Sequence, residues 1–194
     1  MIEFQLQSRF CEATVRPMNR QGCALKNRAI KAGLAVLLSG CAMHYPQTAE
    51  EFRQAAPGAF MAKVQTFEAN RPFRDVARTF QAKAPECLSV SVRTVSQTGT
   101  SYQNYLTTYK PTVLVTERKA ELHVQRHYQG GGIIVPGKEP PGGLYMLVAD
   151  ATPLDKGRTR IDIYGPSRGA DTLIRAVTGW ATGQNLGCPD MTKN

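Results

Sequence analysis

The sequence downstream of residue 60 predicts an α+β domain, with an antiparallel sheet of about five to six strands and two helices on one face. Three observations support this fold class. Residues 72–84 and 173–181 carry apolar side chains at helical spacing. The residues between them form β-branched segments in which apolar and polar side chains alternate. The connections between these segments are short, so successive strands are expected to pair antiparallel.

The first two elements of the domain are a strand and a helix. Phe60–Glu68 alternates loosely and is predicted as the first strand. Pro72 begins the first helix, because proline is favoured in a first helical turn, and Pro85 is expected to end it. The apolar stripe of this helix falls at i, i+3, i+4, i+7 and i+11 and consists of Phe73, Val76, Ala77, Phe80 and Ala84.

A strand-rich middle follows. Residues 88–92 alternate apolar and polar side chains, which predicts a strand with one buried face. Thr107–Thr116 is rich in β-branched residues and predicts the next strand. In Ala120–Tyr128, Leu122 and Val124 face one way. The opposite side of that strand is expected to be a solvated sheet face and carries Glu121, His123, Gln125 and His127.

The last part of the domain contains a loop, two strands and a helix. Gln129–Gly143 holds six glycines and three prolines and is predicted to be irregular. Leu144–Ala149 is a predicted central strand, and Pro153–Gly157 is a turn before the last strand at 159–163. The closing helix is expected to stop around Gly183. Its apolar stripe consists of Leu173, Ile174, Val177, Trp180 and Ala181.

This order of elements resembles the helix-grip arrangement, in which a curved antiparallel sheet wraps a C-terminal helix. The resemblance covers most of residues 60–184 and rests on element order. It implies a place for a lipid or another apolar ligand between the sheet and the C-terminal helix. However, seven large side chains are expected to fill so small a core, namely Phe73, Phe80, Leu144, Met146, Ile161, Leu173 and Trp180.

Upstream of the domain, the sequence resembles the signal of bacterial lipoproteins. A positive segment, 20–31, precedes the apolar run Ala32–Leu38, which is far too short to span a bilayer. Leu38-Ser39-Gly40-Cys41 then resembles a lipobox. The resemblance implies that Cys41 is S-diacylated, that the chain is cut before it, and that the new amino group is acylated. A buried strand or core helix is the alternative interpretation of this apolar run.

The signal also sets the expected domain boundaries. Residues 18–40 have the usual length of a signal peptide, which indicates Met18 as the start and residues 1–17 as a wrongly assigned extension. Residues 41–59 are predicted to be a tether with one short helix, in which Thr48 and Glu51 have capping-box spacing. Residues 60–190 form the single globular domain.

Lipoprotein sorting gives the expected location. Ala42 and Met43 follow the cysteine, in place of the aspartate that retains some lipoproteins in the inner membrane. By resemblance, the outer membrane is favoured, with the domain in the periplasm. The membrane is thus one expected partner, through a lipid anchor at Cys41.

Charge and cysteine content narrow the function classes. The chain has 24 basic and 15 acidic residues, of which six and two lie in residues 1–40, so the remainder carries 18 against 13. No basic run is longer than Arg118-Lys119, which argues against nucleic-acid binding. Cys87 and Cys188 remain after processing, apart from Cys41. In an oxidising compartment a disulfide between them is favoured over two free thiols.

Three motifs invite a catalytic or metal-binding interpretation, and each is better explained structurally. Residues 165–169 match G-x-S-x-G, but no histidine follows Ser167 to complete a triad. Residues 132–138 match the start of a P-loop, but Glu139 replaces the required Ser/Thr. His123 and His127 lie about 13 Å apart along a strand, too far to share one ion. We therefore expect no catalytic residue, metal or cofactor.

Two features predict contact with a partner. Tyr102, Tyr105 and Tyr109 lie before and at the start of the second strand of the meander, where they offer aromatic surface for a partner or pack on the sheet edge. Three consecutive apolar residues, Ile133, Ile134 and Val135, lie inside a polar loop. The sequence thus predicts a non-enzymatic envelope lipoprotein that contacts a protein or the cell wall. The alternative is a module that binds a lipid or small apolar ligand.

Overall fold

Six strands form one sheet, in which the first strand pairs with the last. The computed structural model describes residues 45–98, 101–130 and 138–193. The strands are Ala62–Ala69 (β1), Ser91–Thr98 (β2), Ser101–Val115 (β3), Ala120–Gly130 (β4), Leu144–Pro153 (β5) and Thr159–Pro166 (β6). They lie in the order β1-β6-β5-β4-β3-β2, and every neighbouring pair is antiparallel. This confirms the predicted antiparallel α+β sheet.

Three helices pack on the sheet: Ala49–Ala55 (α1), Phe73–Leu88 (α2) and Asp171–Thr182 (α3). The buried residues of α2 and α3 join those of the strands in one core, so both helices cover the same face, here called the inner face. The helix-grip-like order predicted from the sequence is confirmed. Within the described residues, no helix has the length and apolar character needed to cross a bilayer.

The core is filled by large side chains between the sheet and the two helices. Phe80, Ile161, Leu173 and Trp180 are almost fully buried, and Met146 is 3% exposed. Five of the seven predicted core residues are therefore in place, while the other two, Phe73 and Leu144, are partly buried. The center of the domain is thus packed with its own side chains.

The helix α2 ends later than the sequence predicts. Pro85 was expected to stop it, but the helix continues to Leu88. A proline removes one backbone hydrogen bond, and in the last turn this loss is tolerated because burial of Cys87 and Leu88 holds the turn on the core. The predicted strand at 88–92 is therefore displaced, and β2 begins at Ser91.

The strand β3 begins earlier than the predicted Thr107–Thr116. It starts at Ser101, which pairs with Thr98 of β2. Pairing with β2 on one side and β4 on the other extends the strand through residues 101–106, which have no strong local strand pattern. Tyr102 and Tyr105, which the sequence placed before this strand, therefore lie within it.

The last helix ends as predicted. Gly183 follows α3 in the left-handed conformation at φ 85°, and the next amide N–H, from Gln184, donates to the carbonyl of Gly179 at 2.8 Å. Gly179 lies close to Leu186, because a Cβ atom built at this glycine would meet the end of the Leu186 side chain. The chain after α3 therefore turns back closely against the helix.

A disulfide joins this C-terminal segment to α2. Cys87 and Cys188 are bonded, with their Cα atoms 4.9 Å apart and 101 residues between them in sequence. Cys87 is buried in the core, while Cys188 is exposed. The bridge thus closes most of the domain into one loop.

We expect reduction of this disulfide to lower the melting temperature by about 5–10 °C, because closing a long loop restricts the unfolded chain. The measurement is thermal unfolding by circular dichroism with and without dithiothreitol. The double variant Cys87→Ser/Cys188→Ser is the control, since its melting temperature should not respond to reductant. A wild-type melting temperature that is equally insensitive would contradict the prediction.

Candidate functional site

The face of the sheet opposite α2 and α3, here called the outer face, is covered in part by α1. The sequence predicted a solvated face at Glu121, His123, Gln125 and His127, and this prediction is wrong for its center. His123 and Gln125 are each only 8% exposed. The His123 ring lies 6.2 Å from the ring of Tyr145, which in turn lies 5.9 Å from the Phe52 ring of α1. Gln125 is covered by the connection between β4 and β5, where its Nε2 atom donates to the carbonyls of Pro141 and Gly143 at 2.9 and 2.8 Å.

Arg53 holds α1 on this face through two carboxylates. Its Nε and Nη2 atoms donate to the two oxygens of Asp150 at 2.7 and 2.8 Å, a two-point ion pair. The Nη2 atom also donates to Glu121. Lys119 reaches the same two carboxylates at 3.1 and 3.2 Å, and His123 Nε2 lies 3.0 Å from Glu121. We call these five residues the Arg53 network.

The Arg53 network shifts the pKa of Arg53 and of Glu121. Burial alone disfavours the charged Arg53, but hydrogen bonds to Asp150 and Glu121 outweigh it and raise the pKa of Arg53 above its ordinary value. Burial pushes the pKa of Glu121 upward, yet hydrogen bonds from His123, Arg53 and Lys119 dominate and hold it at about 2. Every carboxylate of this network is already paired, so we assign it to positioning α1 rather than to acid–base chemistry.

The N-terminal half of α1 meets a second polar cluster. Thr48 caps the helix by accepting from the Glu51 amide at 3.1 Å, as the sequence predicted. Gln47 Nε2 donates to the carbonyl of Lys138 at 3.0 Å. Beside this contact His127 Nδ1 lies 2.7 Å from Glu139, at a surface cavity of about 240 Å³. The contact of Gln47 with Lys138 thereby ties the connection between β4 and β5 to the start of the domain.

The Arg53 network predicts a specific pH dependence of stability. The folded pKa of Glu121 lies below its ordinary 4.5, so its contribution is present above about pH 5 and is lost as the pH falls toward 2. We expect Glu121→Gln to lower the free energy of unfolding at pH 7 by about 1–3 kcal/mol. The variant should also lose less stability than the wild type between pH 5 and 2.

Urea unfolding at several pH values measures both effects. Glu68→Gln is the matched control, because Glu68 is exposed and pairs only with the exposed Arg158 among the described residues. A Glu121→Gln profile parallel to that of the wild type would contradict the assignment.

The inner face carries a second group of polar residues where the first half of β3 pairs with the last part of β4. Tyr109 pairs in register with Arg126, and Thr107 pairs with Tyr128. The rings of Tyr105 and Tyr128 lie 6.1 Å apart at 72°, and the guanidinium carbon of Arg126 is 5.2 Å from the Tyr128 ring centroid. We call Tyr105, Tyr109, Arg126 and Tyr128 the tyrosine–arginine cluster.

Arg126 is the unusual member of this cluster. Its Nε atom is buried without a hydrogen-bond partner, and no carboxylate pairs with its guanidinium among the described residues. Trp180 Nε1 is likewise unpartnered, but it is enclosed in the core. Burial raises the pKa of Tyr109 and Tyr128, and Arg126 opposes that rise. A guanidinium beside aromatic rings, with no internal counter-ion, suits a ligand that carries a carboxylate.

The predicted contact residues are divided by the structure. Tyr102 is 67% exposed, whereas Tyr109 is 5% exposed and belongs to the core. Strand alternation places Tyr105 and Tyr109 on the inner face and Tyr102 on the opposite one. Ile133, Ile134 and Val135 lie outside the described residues, as does Cys41.

Sequence reasoning missed Arg126 and Tyr128. Both continue the alternation that correctly placed Leu122 and Val124 on the buried face, so the signal was present in β4. The signal is weak because residues 125–129 are polar or aromatic throughout, so the apolar–polar contrast of the alternation ends at Val124. Extending the alternation by two steps would have brought Arg126 to the same face as the tyrosines.

The other motifs behave as structural elements. Ser167 of the G-x-S-x-G match is exposed in the turn between β6 and α3, where its amide donates to the carbonyl of Met61 at 2.8 Å. A larger cavity, about 530 Å³, lies between α2 and the β3–β4 connection. Its polar lining residues are exposed, so it is a surface groove; they are Arg74, Arg78, Gln81, Thr116 and Glu117.

Comparison with known proteins gives no family. No protein-family model matches this sequence, and no curated protein matches it. The di-domain ARO/CYC BexL from the BE-7585A biosynthetic pathway is similar in structure with a TM-score of 0.31 at 10% identity. That similarity covers 63% of this chain and 45% of BexL, so the chain spans less than half the length of that protein.

Two further solved structures are similar at the same level. A conserved protein from Geobacillus kaustophilus has a TM-score of 0.28 at 15% identity, covering 63% of this chain and 88% of that one. Norcoclaurine synthase from Thalictrum flavum, in complex with dopamine and hydroxybenzaldehyde, has a TM-score of 0.28 at 12% identity, covering 84% and 94%. TM-scores this low assign no activity or ligand to this chain.

Proposed function

We propose that this chain is a lipid-anchored protein of the bacterial envelope, and that its helix-grip-like domain is a non-enzymatic binding module. The tyrosine–arginine cluster is the recognition site in this proposal, and the partner is a carboxylate-bearing protein or cell-wall peptide. The observation that carries the proposal is Arg126, whose buried Nε has no partner among the described residues. A partner carboxylate would supply the missing acceptor and counter-charge.

The packed center of the domain favours this surface over an internal ligand. The alternative function requires space between the sheet and α3 for a lipid or small apolar molecule. Leu122, Leu147, Leu173 and Trp180 occupy that region and are each no more than 1% exposed. The beginning of β3 and the end of β4 are less crowded, because Tyr105 and Tyr128 are only half-buried. Recognition is therefore proposed at the open end of the inner face.

The signal features at residues 20–41 support the anchored location. A positive segment, a short apolar run and a cysteine after two small residues occur together and in this order. Anchoring at Cys41 supplies the membrane attachment in this proposal, and outer-membrane sorting follows from Ala42 and Met43. The disulfide of Cys87 with Cys188 is compatible with an oxidising compartment.

Substitution of Cys41 tests the anchor. We expect Cys41→Ala to accumulate as an uncleaved precursor without acyl chains, because the cysteine thiol is the acceptor for diacylglycerol in lipoproteins. Mass spectrometry of the membrane fraction measures the N-terminus and the acyl mass. Wild-type protein that retains residues 18–40 would contradict the lipoprotein proposal.

Site-specific photocrosslinking tests the recognition site. A benzophenone-bearing phenylalanine in place of Tyr105 should crosslink to an envelope partner, which mass spectrometry identifies. We expect Arg126→Gln to reduce the adduct at least about tenfold, since a charge-assisted hydrogen bond contributes on the order of 1.5–3 kcal/mol. Arg93→Gln, on the exposed face of the edge strand β2, is the matched control and should leave the adduct unchanged.

Circular dichroism establishes that Arg126→Gln is folded before the adducts are compared. An adduct of equal intensity in the wild type and in folded Arg126→Gln would contradict the assigned role of the guanidinium. Absence of any adduct from position 105 would contradict the cluster as the contact surface.

A further inference from the structure

The first described residue, Tyr45, lies at the same end of the sheet as an exposed apolar pair, Phe60 and Met61. Ala62 at the start of β1 pairs with Pro166 at the end of β6, which lies beside the beginning of β5. Gln47 bonds Lys138 in the connection between β4 and β5, at the same end. Met61 receives a hydrogen bond from Ser167 there. We call this end of the sheet, with residues 45–47, 60–63, 138 and 166–168, the anchor end.

The anchor end carries apolar and basic side chains toward solvent. Phe60 is 77% exposed and Met61 is 57% exposed. Lys63, Lys138 and Arg168 are exposed at the same end. The acidic residues at this end include Glu51, which accepts a hydrogen bond from the Gln47 amide, Glu139, which bonds His127, and the exposed Asp171. An aromatic and a thioether side chain exposed at the same end of the sheet as three cations is a composition that favours a bilayer interface with anionic headgroups.

Chain length restricts which part of the domain can approach a membrane anchored at Cys41. Four residue steps separate Cys41 from Tyr45, and a fully extended chain spans at most about 14 Å over that length. A domain of this size has a radius of gyration of about 15 Å. The opposite end of the sheet therefore lies beyond the reach of the linker, whereas the anchor end lies within it.

We infer that the anchor end rests on the phospholipid surface, with Phe60 and Met61 in the interface and Lys63, Lys138 and Arg168 at the level of the anionic headgroups. This inference rests on the proposed acylation of Cys41. It goes further, because it assigns a second membrane contact and an orientation of the domain. The Arg53 network keeps α1 on the sheet and thereby keeps this end near the linker.

Tryptophan fluorescence in vesicles tests the orientation. The full-length chain is expressed with its signal, purified as the acylated form, and reconstituted in vesicles of phosphatidylethanolamine and phosphatidylglycerol that contain brominated acyl chains. Phe60→Trp should show a blue-shifted emission and strong quenching by bromine, and Met61→Trp should agree with it. The native Trp180 is buried in the core and gives a constant background.

Leu114→Trp is the matched control, because Leu114 is 53% exposed at the opposite end of the sheet. Its emission should stay red-shifted and unquenched in the same vesicles. Equal quenching at positions 60 and 114, or none at either 60 or 61, in protein whose acylation is verified by mass spectrometry would overturn the inference alone. Absence of acyl chains on Cys41 would overturn the proposed function and the inference together.

Discussion

The two-point ion pair between Arg53 and Asp150 is the contact on which the arrangement of the domain depends. It joins residues 97 positions apart and fixes a seven-residue helix that is too short to be stable alone. A buried ion pair offers little net stability, since desolvation offsets much of the attraction, but removing one partner is costly. The pair therefore specifies where α1 sits on the outer face more than it strengthens the fold.

The two faces of the sheet differ in the side chains that hold their helices, which are apolar on the inner face and charged on the outer face. The inner face is apolar where α2 and α3 cover it, and Arg126 lies among tyrosines at one end of that face. The outer face is polar and carries its charges in saturated pairs beneath α1. Of the two charged groups, the one on the inner face has an unsatisfied donor among the described residues, and this difference is why recognition is proposed there and a structural role at the Arg53 network.

Local periodicity predicted most of the fold, and long-range contacts account for what it missed. Burial of one side produces the apolar stripes of α2 and α3 and the alternation of β4 and β6. Such patterns can be recognised from neighbouring residues in the sequence alone. Docking of α1 depends on Asp150, far along the chain, and the early start of β3 depends on pairing with β2. Within the candidate site, Tyr105 was anticipated, whereas Arg126 was missed because the residues after Val124 in β4 show no apolar–polar contrast.

With Cys41 acylated as proposed, the short linker before Tyr45 sets the effective concentration of partners at the recognition site. A binding site confined to a layer about one domain thick meets partners in that layer at a high effective concentration, and it meets distant ones scarcely at all. With Cys41 acylated as proposed, the tyrosine–arginine cluster samples a thin shell next to the lipid. Modest intrinsic affinity is then sufficient for a partner held in the same shell, and lengthening the linker would weaken the encounter without altering a single contact in the site.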